Sequence, residues 1–163
     1  MRGYLSNLYL VALGSNRRLR PFGDPRHVVR AAMEELAALG TVTARSPIVA
    51  SDPVGPAQRR FANAAVLLDS AFDPSSLLAG LKRLEREFGR RRSGQRWRDR
   101  TLDLDIVLWS GGAYAEPDLQ IPHPLFRERD FVLGPAAAIA PRWRDPVTGR
   151  TLRQLANRAH RPA

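Results

Sequence analysis

Short runs of apolar residues alternate along this chain with segments whose apolar residues recur at helical spacing. The run Leu8–Leu13 is followed by Gly14-Ser15-Asn16 and predicts a buried strand that ends in a turn. From Pro25 the apolar positions have the period of a helix, and Gly40 supplies a stop signal. The β-branched segment Thr41–Ala50 predicts a second strand.

The second half of the chain continues the alternation of strands and helices. Phe61–Phe72 predicts a third strand, and Asp73 or Ser75 can cap a helix that runs to about Phe88. Leu102–Trp109 predicts a fourth strand, because apolar residues first alternate there and then become continuous. Residues 113–125 predict a loop with a possible short strand. Two short helices are predicted after it, at Phe131–Ile139 and Leu152–Ala159.

The order β-α-β-β-α-β predicts a fold class, α+β, with a ferredoxin-like core sheet, flanking helices and a C-terminal extension. We expect residues 1–163 to form a single domain, since no linker or repeat divides them. The chain has no cysteine, which excludes disulfides and thiolate chemistry. No apolar run reaches the roughly 18 residues of a membrane span, so we expect a cytoplasmic protein without a membrane partner.

The net charge of +10 is carried almost wholly by arginine, since Lys82 is the one lysine among 26 basic residues. Genome composition is the simplest account of that ratio. The excess lies in three blocks, residues 1–30, 90–100 and 142–163, each with six arginines against one aspartate. Nucleic acid, anionic membranes and phosphorylated small molecules all remain open as partners on charge alone.

Asp103 and Asp105 follow the middle arginine block directly. On a strand the two side chains share one face, roughly 6.5–7 Å apart at Cα, with Leu104 and Ile106 on the other face. A divalent cation removes their mutual repulsion, and two carboxylates with substrate phosphates are typical ligands of Mg²⁺. Taken alone, such a pair is more often two solvated aspartates on an edge strand. The preceding arginines favour phosphoryl transfer instead.

Other sequence signals narrow the choice of architecture. The chain contains neither a Walker A sequence nor a G-x-G-x-x-G motif, which disfavours P-loop and protein-kinase folds. Its three histidines, His27, His123 and His160, are too scattered in sequence to indicate a metal cluster.

The aspartate pair belongs to a longer motif, Arg96-Trp97 followed by Arg100-Thr101-Leu102-Asp103-Leu104-Asp105-Ile106. Three further segments stand in a fixed order around it: Ala12-Leu13-Gly14-Ser15-Asn16, Pro53-Val54-Gly55-Pro56 with Phe61-Ala62-Asn63-Ala64, and Pro122-His123 with Arg129-Asp130-Phe131-Val132-Leu133. In this order and spacing the four segments resemble the 6-hydroxymethyl-7,8-dihydropterin pyrophosphokinase family of folate biosynthesis. The resemblance covers nearly the whole chain.

The resemblance implies transfer of pyrophosphate from ATP, as co-substrate, to the hydroxymethyl oxygen of the pterin, with release of AMP and with two Mg²⁺ ions. It implies metal ligands at Asp103 and Asp105. Catalytic positions are implied at Arg90, Arg92, Trp97 and Arg100. ATP-binding positions are implied at Glu85, Arg90, Arg100, His123 and Arg129.

The pterin side is implied in the same way. Asn63 hydrogen-bonds the edge of the ring, and Phe61 and Phe131 stack on its two faces. The further pterin-binding positions are Asn16, Ser51, Val54 and Asp103. Both phenylalanines read as ordinary core residues without the resemblance.

Three departures from the family pattern stand out: a basic loop with Arg17, Arg18 and Arg20, an aspartate at Asp52, and Pro124 after His123. None removes an implied metal ligand or phosphate-binding arginine. We therefore expect an active, monomeric enzyme that acts on small molecules and not on nucleic acid. An RNA-binding module and a catalytically inactive homologue are the alternatives.

Overall fold

The computed structural model describes residues 6–16, 24–51, 61–90 and 102–159, with the backbone alone for Ser51 and Arg90. Seven strands and four α-helices occur in these ranges, together with 3₁₀ helices at Leu36–Ala38 and Phe126–Glu128. The strands are β1 (Asn7–Ser15), β2 (Thr41–Arg45), β3 (Val49–Ser51), β4 (Phe61–Ser70), β5 (Asp103–Trp109), β6 (Tyr114–Glu116) and β7 (Leu119–Ile121). The helices are α1 (Pro25–Glu35), α2 (Pro74–Arg90), α3 (Asp130–Ile139) and α4 (Leu152–Ala159).

The main sheet has the strand order β2-β4-β1-β5, with β3 also beside β4, and every pair is antiparallel. The central strands are therefore β4 and β1, which are far apart in sequence. In the described part of the chain β5 pairs with β1 alone and forms one edge of the sheet. The predicted α+β class, with helices packed on an antiparallel sheet, is confirmed.

Helices cover both faces of the sheet, because the strands present apolar side chains in both directions. On one face α1 and α2 pack on alternate residues of the central strands, such as Val11 and Val66. On the other face α3 and α4 pack on residues such as Leu10 and Ala65. Successive residues of a strand point to opposite faces, so this division also decides where the polar residues of β5 point.

Side-chain caps begin two of the helices. Asp24 precedes Pro25 and accepts a hydrogen bond from the His27 backbone N–H, at 3.3 Å. Asp73 accepts from the Ser76 backbone N–H at 2.8 Å, so the first of the two predicted caps for this helix is confirmed. These bonds satisfy backbone donors that a helix leaves free at its N-terminus.

The predicted strand Thr41–Ala50 is wrong as a single strand, because Ser46, Pro47 and Ile48 separate β2 from β3. Pro47 has no N–H for a ladder. At Ser46 a side-chain hydrogen bond takes the place of a backbone bond between strands, since the Ser46 Oγ accepts from the Ala65 backbone N–H at 2.9 Å. The predicted 113–125 loop contains two short strands, β6 and β7, which pair as a hairpin.

Among the described residues, no helix combines the length and the apolar character that crossing a bilayer would require.

Candidate active site

An open cleft lies at one end of the sheet, on the face covered by α3. Its described lining comes from β1, β4, β5 and the start of α3: Ala12, Leu13, Gly14, Asn63, Asp103, Asp105, Arg129, Phe131 and Val132. The free volume is about 370 Å³, counted with the space that opens to solvent.

Strand register places the polar side chains of the cleft in rows. Gly14 of β1 pairs with Asn63 of β4 on one side and with Asp103 of β5 on the other. Two residues earlier in β1, Ala12 pairs with Asp105. A neutral amide and two carboxylates therefore surround backbone that carries only small side chains.

Gly14 allows a close approach of the Asn63 amide to β1. A Cβ at residue 14 would lie 3.0 Å from Asn63 Oδ1, closer than ordinary van der Waals contact. The short segment that ends β1 thus leaves a space that the Asn63 side chain occupies. Gly14 belongs to the motif at 12–16 but was not predicted as a site residue, and its position near the end of a strand was the available signal.

Asp103 and Asp105 share the cleft face of β5, as predicted, and Leu104 and Ile106 lie in the core on the opposite face. Asp103 is exposed and Asp105 is half-buried. In the described ranges no group of three or more His, Asp or Glu side chains is arranged to hold a metal ion. Two carboxylates with room for phosphate oxygens fit Mg²⁺, which is commonly held by one or two carboxylates together with substrate phosphates.

His123 lies beside this pair, just before the 3₁₀ helix. Its backbone N–H donates to the carbonyl of Val107 in β5 at 3.1 Å. Its Nδ1 accepts from the Leu125 backbone N–H at 3.1 Å, so the neutral ring carries its proton on Nε2. Burial lowers the pKa of His123 below its ordinary value, the Asp105 carboxylate opposes that change, and the Arg129 guanidinium lowers the pKa further.

Arg129 and Phe131 occupy the start of α3. The Arg129 guanidinium carbon lies 5.7 Å from the centroid of the Phe131 ring, within cation–π range. Phe131 is 50% exposed, although it is a large apolar residue. Phe61 is 44% exposed and, two residues before Asn63 in β4, shares its face of the sheet. Phe131 lines the cleft and is available for stacking on a flat ligand, whereas the described lining does not include Phe61.

Glu85 was predicted to bind ATP, but in the structure its carboxylate bonds to the protein backbone. It lies on α2, outside the described lining of the cleft, and its Oε2 accepts from the Leu104 backbone N–H at 2.7 Å. Leu104 stands between the two aspartates. Glu85 therefore contacts the backbone of the carboxylate strand, on the edge that β1 does not cover.

Several predicted residues cannot be located. Arg92, Trp97, Arg100 and Val54 lie outside the described residues, and the side chains of Arg90 and Ser51 do too. Asn16 is described and half-buried at the end of β1, but the described lining of the cleft does not include it. The structure thus brings together Asn63, Asp103, Asp105, Arg129 and Phe131, with His123 adjacent through its electrostatic contacts.

Comparison with known proteins places the chain in a family. The model of the family 7,8-dihydro-6-hydroxymethylpterin-pyrophosphokinase (HPPK) matches residues 10–141. A 2-amino-4-hydroxy-6-hydroxymethyldihydropteridine pyrophosphokinase of Pseudomonas aeruginosa is 43% identical over 148 residues, which are 89% of this chain and 87% of that protein. A protein of the same name from Bacillus subtilis is 40% identical over 138 residues, covering 83% of this chain and 79% of the relative.

Solved structures are similar in fold. The HPPK-DHPS of Plasmodium falciparum, solved as an A437G variant with pteroate, superposes with a TM-score of 0.72 at 14% identity, covering 97% of this chain. The wild-type protein with pteroate gives the same score. This chain spans about two fifths of the length of those chains, 41% and 43%. From the family model and the curated relatives, the chain belongs to the 7,8-dihydro-6-hydroxymethylpterin-pyrophosphokinase family.

Proposed function

We propose that the cleft at the end of the sheet is where this chain brings ATP and a hydroxymethyl dihydropterin together. The reaction is that of its family, the transfer of pyrophosphate from ATP to 6-hydroxymethyl-7,8-dihydropterin in folate biosynthesis. The observation that supports this location is the convergence of two carboxylates, an amide, an arginine and an exposed phenylalanine on one cleft.

In the proposed arrangement the chain's residues divide the substrates between them. Asn63 binds the polar edge of the pterin, while Phe131, with Phe61, stacks on the ring. Arg129 and the Nε2–H of His123 bind phosphate oxygens of ATP. Both residues are donors in the states described above, since an arginine is always protonated and the Nδ1 of His123 is an acceptor.

Asp103 and Asp105 are the proposed ligands of two Mg²⁺ ions, which would neutralise phosphate charge as it shifts to the leaving group. The hydroxymethyl oxygen forms a bond to the β-phosphorus. The bond from that phosphorus to the oxygen of AMP breaks, AMP leaves with the electron pair, and the hydroxyl proton is released. Positioning and charge neutralisation account for most of the acceleration in such a site.

The detailed topology, the cellular location and the oligomeric state are also proposals. The sheet order is the support for a ferredoxin-like core. We further propose a cytoplasmic monomer in which residues 1–163 form one domain, acting on small molecules rather than on nucleic acid.

The direct test incubates the purified protein with MgATP and the hydroxymethyl dihydropterin and measures AMP and the pterin diphosphate. We expect Asp103→Asn and Asp105→Asn each to reduce kcat by at least about 100-fold. Asp69→Asn is the matched control, because Asp69 lies near the far end of β4 from Asn63. Absence of AMP with the wild-type protein would refute the proposal, and tight, salt-sensitive binding of single-stranded RNA would support the RNA-binding alternative.

A further inference from the structure

Asp145 is the one buried charged side chain among the described residues, with 0% of its surface exposed. It lies in the connection between α3 and α4, outside the described lining of the cleft. Burial of a carboxylate carries a cost of several kcal/mol unless the charge is paired and fully hydrogen-bonded. A fully buried carboxylate therefore calls for a specific reason.

Four donors satisfy the Asp145 carboxylate. The Arg127 Nε donates to Oδ2 at 2.6 Å and its Nη2 donates to Oδ1 at 2.8 Å, a bidentate pair. The Val147 backbone N–H donates to Oδ1 at 3.0 Å, and the Thr148 hydroxyl donates to Oδ2 at 2.7 Å. Burial raises the pKa of Asp145, but the bonds from Arg127, Thr148 and Val147 and the arginine's charge outweigh burial and lower it to about 2.

Arg127 is the central residue of the 3₁₀ helix that connects His123 to Arg129. Three backbone hydrogen bonds span this segment: Phe126 N–H donates to the His123 carbonyl, Glu128 N–H to the Leu125 carbonyl and Arg129 N–H to the Phe126 carbonyl. The Arg127 guanidinium carbon also lies 4.8 Å from the Phe126 ring centroid. Phe126 itself is buried in the core beneath α3 and α4.

Three anchors therefore hold the segment from His123 to Arg129. One end is bonded to β5 through the Val107 carbonyl, and the other begins α3, where Val132 N–H donates to the Arg129 carbonyl. The Asp145–Arg127 pair is the anchor at the middle. A buried bidentate pair contributes little net stability compared with apolar packing, but it allows few geometries.

We propose that Asp145, acting through Arg127, is a positioning residue for the nucleotide side of the site. The pair fixes the orientation of the 3₁₀ helix, so that His123 and Arg129 are presented together to the phosphates of ATP. The inference rests on the proposed function of those two residues. Asp145 itself is not proposed to contact a substrate.

The test measures kcat, KM for ATP, KM for the pterin, and Tm for Arg127→Lys and Asp145→Asn. Arg127→Lys keeps the charge but loses the planar, two-bond contact. We expect KM for ATP to rise about tenfold in each variant, while KM for the pterin changes by less than about twofold. The double variant should be no worse than the poorer single variant, because both substitutions break the same pair.

Arg45→Lys is the matched control, since Arg45 forms an exposed ion pair with Glu34 at 3.2 Å on the opposite face of the sheet. Thr148→Val is a milder second variant that removes one donor from Asp145 and keeps Arg127, and we expect a smaller rise in KM for ATP. Variants that lower Tm with an unchanged KM for ATP would overturn the proposal, because the pair would then act on stability alone. A wild-type protein that forms no AMP would instead refute the proposed function, so the two failures are distinguishable.

Discussion

Replacement of Glu85 tests whether an α2 side chain controls the carboxylate strand without touching a substrate. Glu85 Oε2 accepts from the Leu104 backbone N–H at 2.7 Å, and Leu104 is 3% exposed. In Glu85→Ala that donor loses its partner in a buried setting. An unsatisfied buried donor costs about 1–3 kcal/mol, which in a protein of this size lowers Tm by about 2–12 °C.

The same change should weaken metal binding, because Leu104 separates Asp103 from Asp105. If about 1 kcal/mol of the loss falls on the metal site, the Mg²⁺ concentration for half-maximal activity rises about fivefold. Glu85→Gln keeps an oxygen acceptor and loses the charge, so we expect less than half of both effects. Thermal unfolding and a Mg²⁺ titration of AMP formation measure the two quantities.

Glu87→Ala is the matched control on the same helix. Two residues along a helix correspond to a rotation of about 200°, so Glu87 and Glu85 face different directions. If Glu85→Ala matched Glu87→Ala in both Tm and Mg²⁺ dependence, the positioning role would be wrong. If Glu85→Gln instead raised KM for ATP with no change in Tm or in Mg²⁺ dependence, Glu85 would contact the nucleotide, as the family resemblance implies.

Four further predictions concern three glycines and the buried carboxylate. Gly14→Ala places a methyl group 3.0 Å from Asn63 Oδ1, so steady-state kinetics should show a higher KM for the pterin and an unchanged KM for ATP. Gly40→Ala places its Cβ 2.4 Å from a β4 carbonyl oxygen and should lower the free energy of unfolding by about 1–3 kcal/mol in denaturant titrations. Gly89→Ala, with no described atom within 4 Å of the added Cβ, should be neutral or stabilising by up to about 1 kcal/mol. The folded-state pKa of Asp145 is about 2, below its ordinary 3.8. Its ionised carboxylate therefore contributes about 2 kcal/mol to the free energy of unfolding above pH 4, and this contribution is lost as the pH falls toward 2. Asp145→Asn should remove that part of the pH dependence of stability, measured by denaturant titration at several pH values.

Local periodicity was sufficient to predict the helices and most strands of this protein. The α4 bounds are those predicted, and the Asp73 cap begins α2 as expected. The shared face of Asp103 and Asp105 also follows from the strand period alone, since alternate residues of any strand point the same way. The splitting of the predicted strand at 41–50 was missed although Pro47 signals it, while the bond from the Ala65 N–H to Ser46 depends on tertiary structure.

The site was predicted as a set of residues, while its arrangement depends on contacts between distant parts of the chain. The predicted ferredoxin-like topology places β1 between β4 and β5. Only the register of the strand pairs puts Asn63 and Asp103 on either side of Gly14. The roles of the two acidic residues outside the cleft were hidden for the same reason. Asp145 was one charge in a basic block, and only packing brought it to Arg127.

The amino-acid sequence by itself thus determined the family, the elements and the carboxylate pair, because each is recorded in residue types at short, regular spacing. Tertiary structure decided which surface those residues share, how closely the Asn63 side chain approaches the β1 backbone, and which residue pairs with the buried Asp145. These depend on strand register and helix packing, and the free energy of both comes from contacts between residues tens of positions apart.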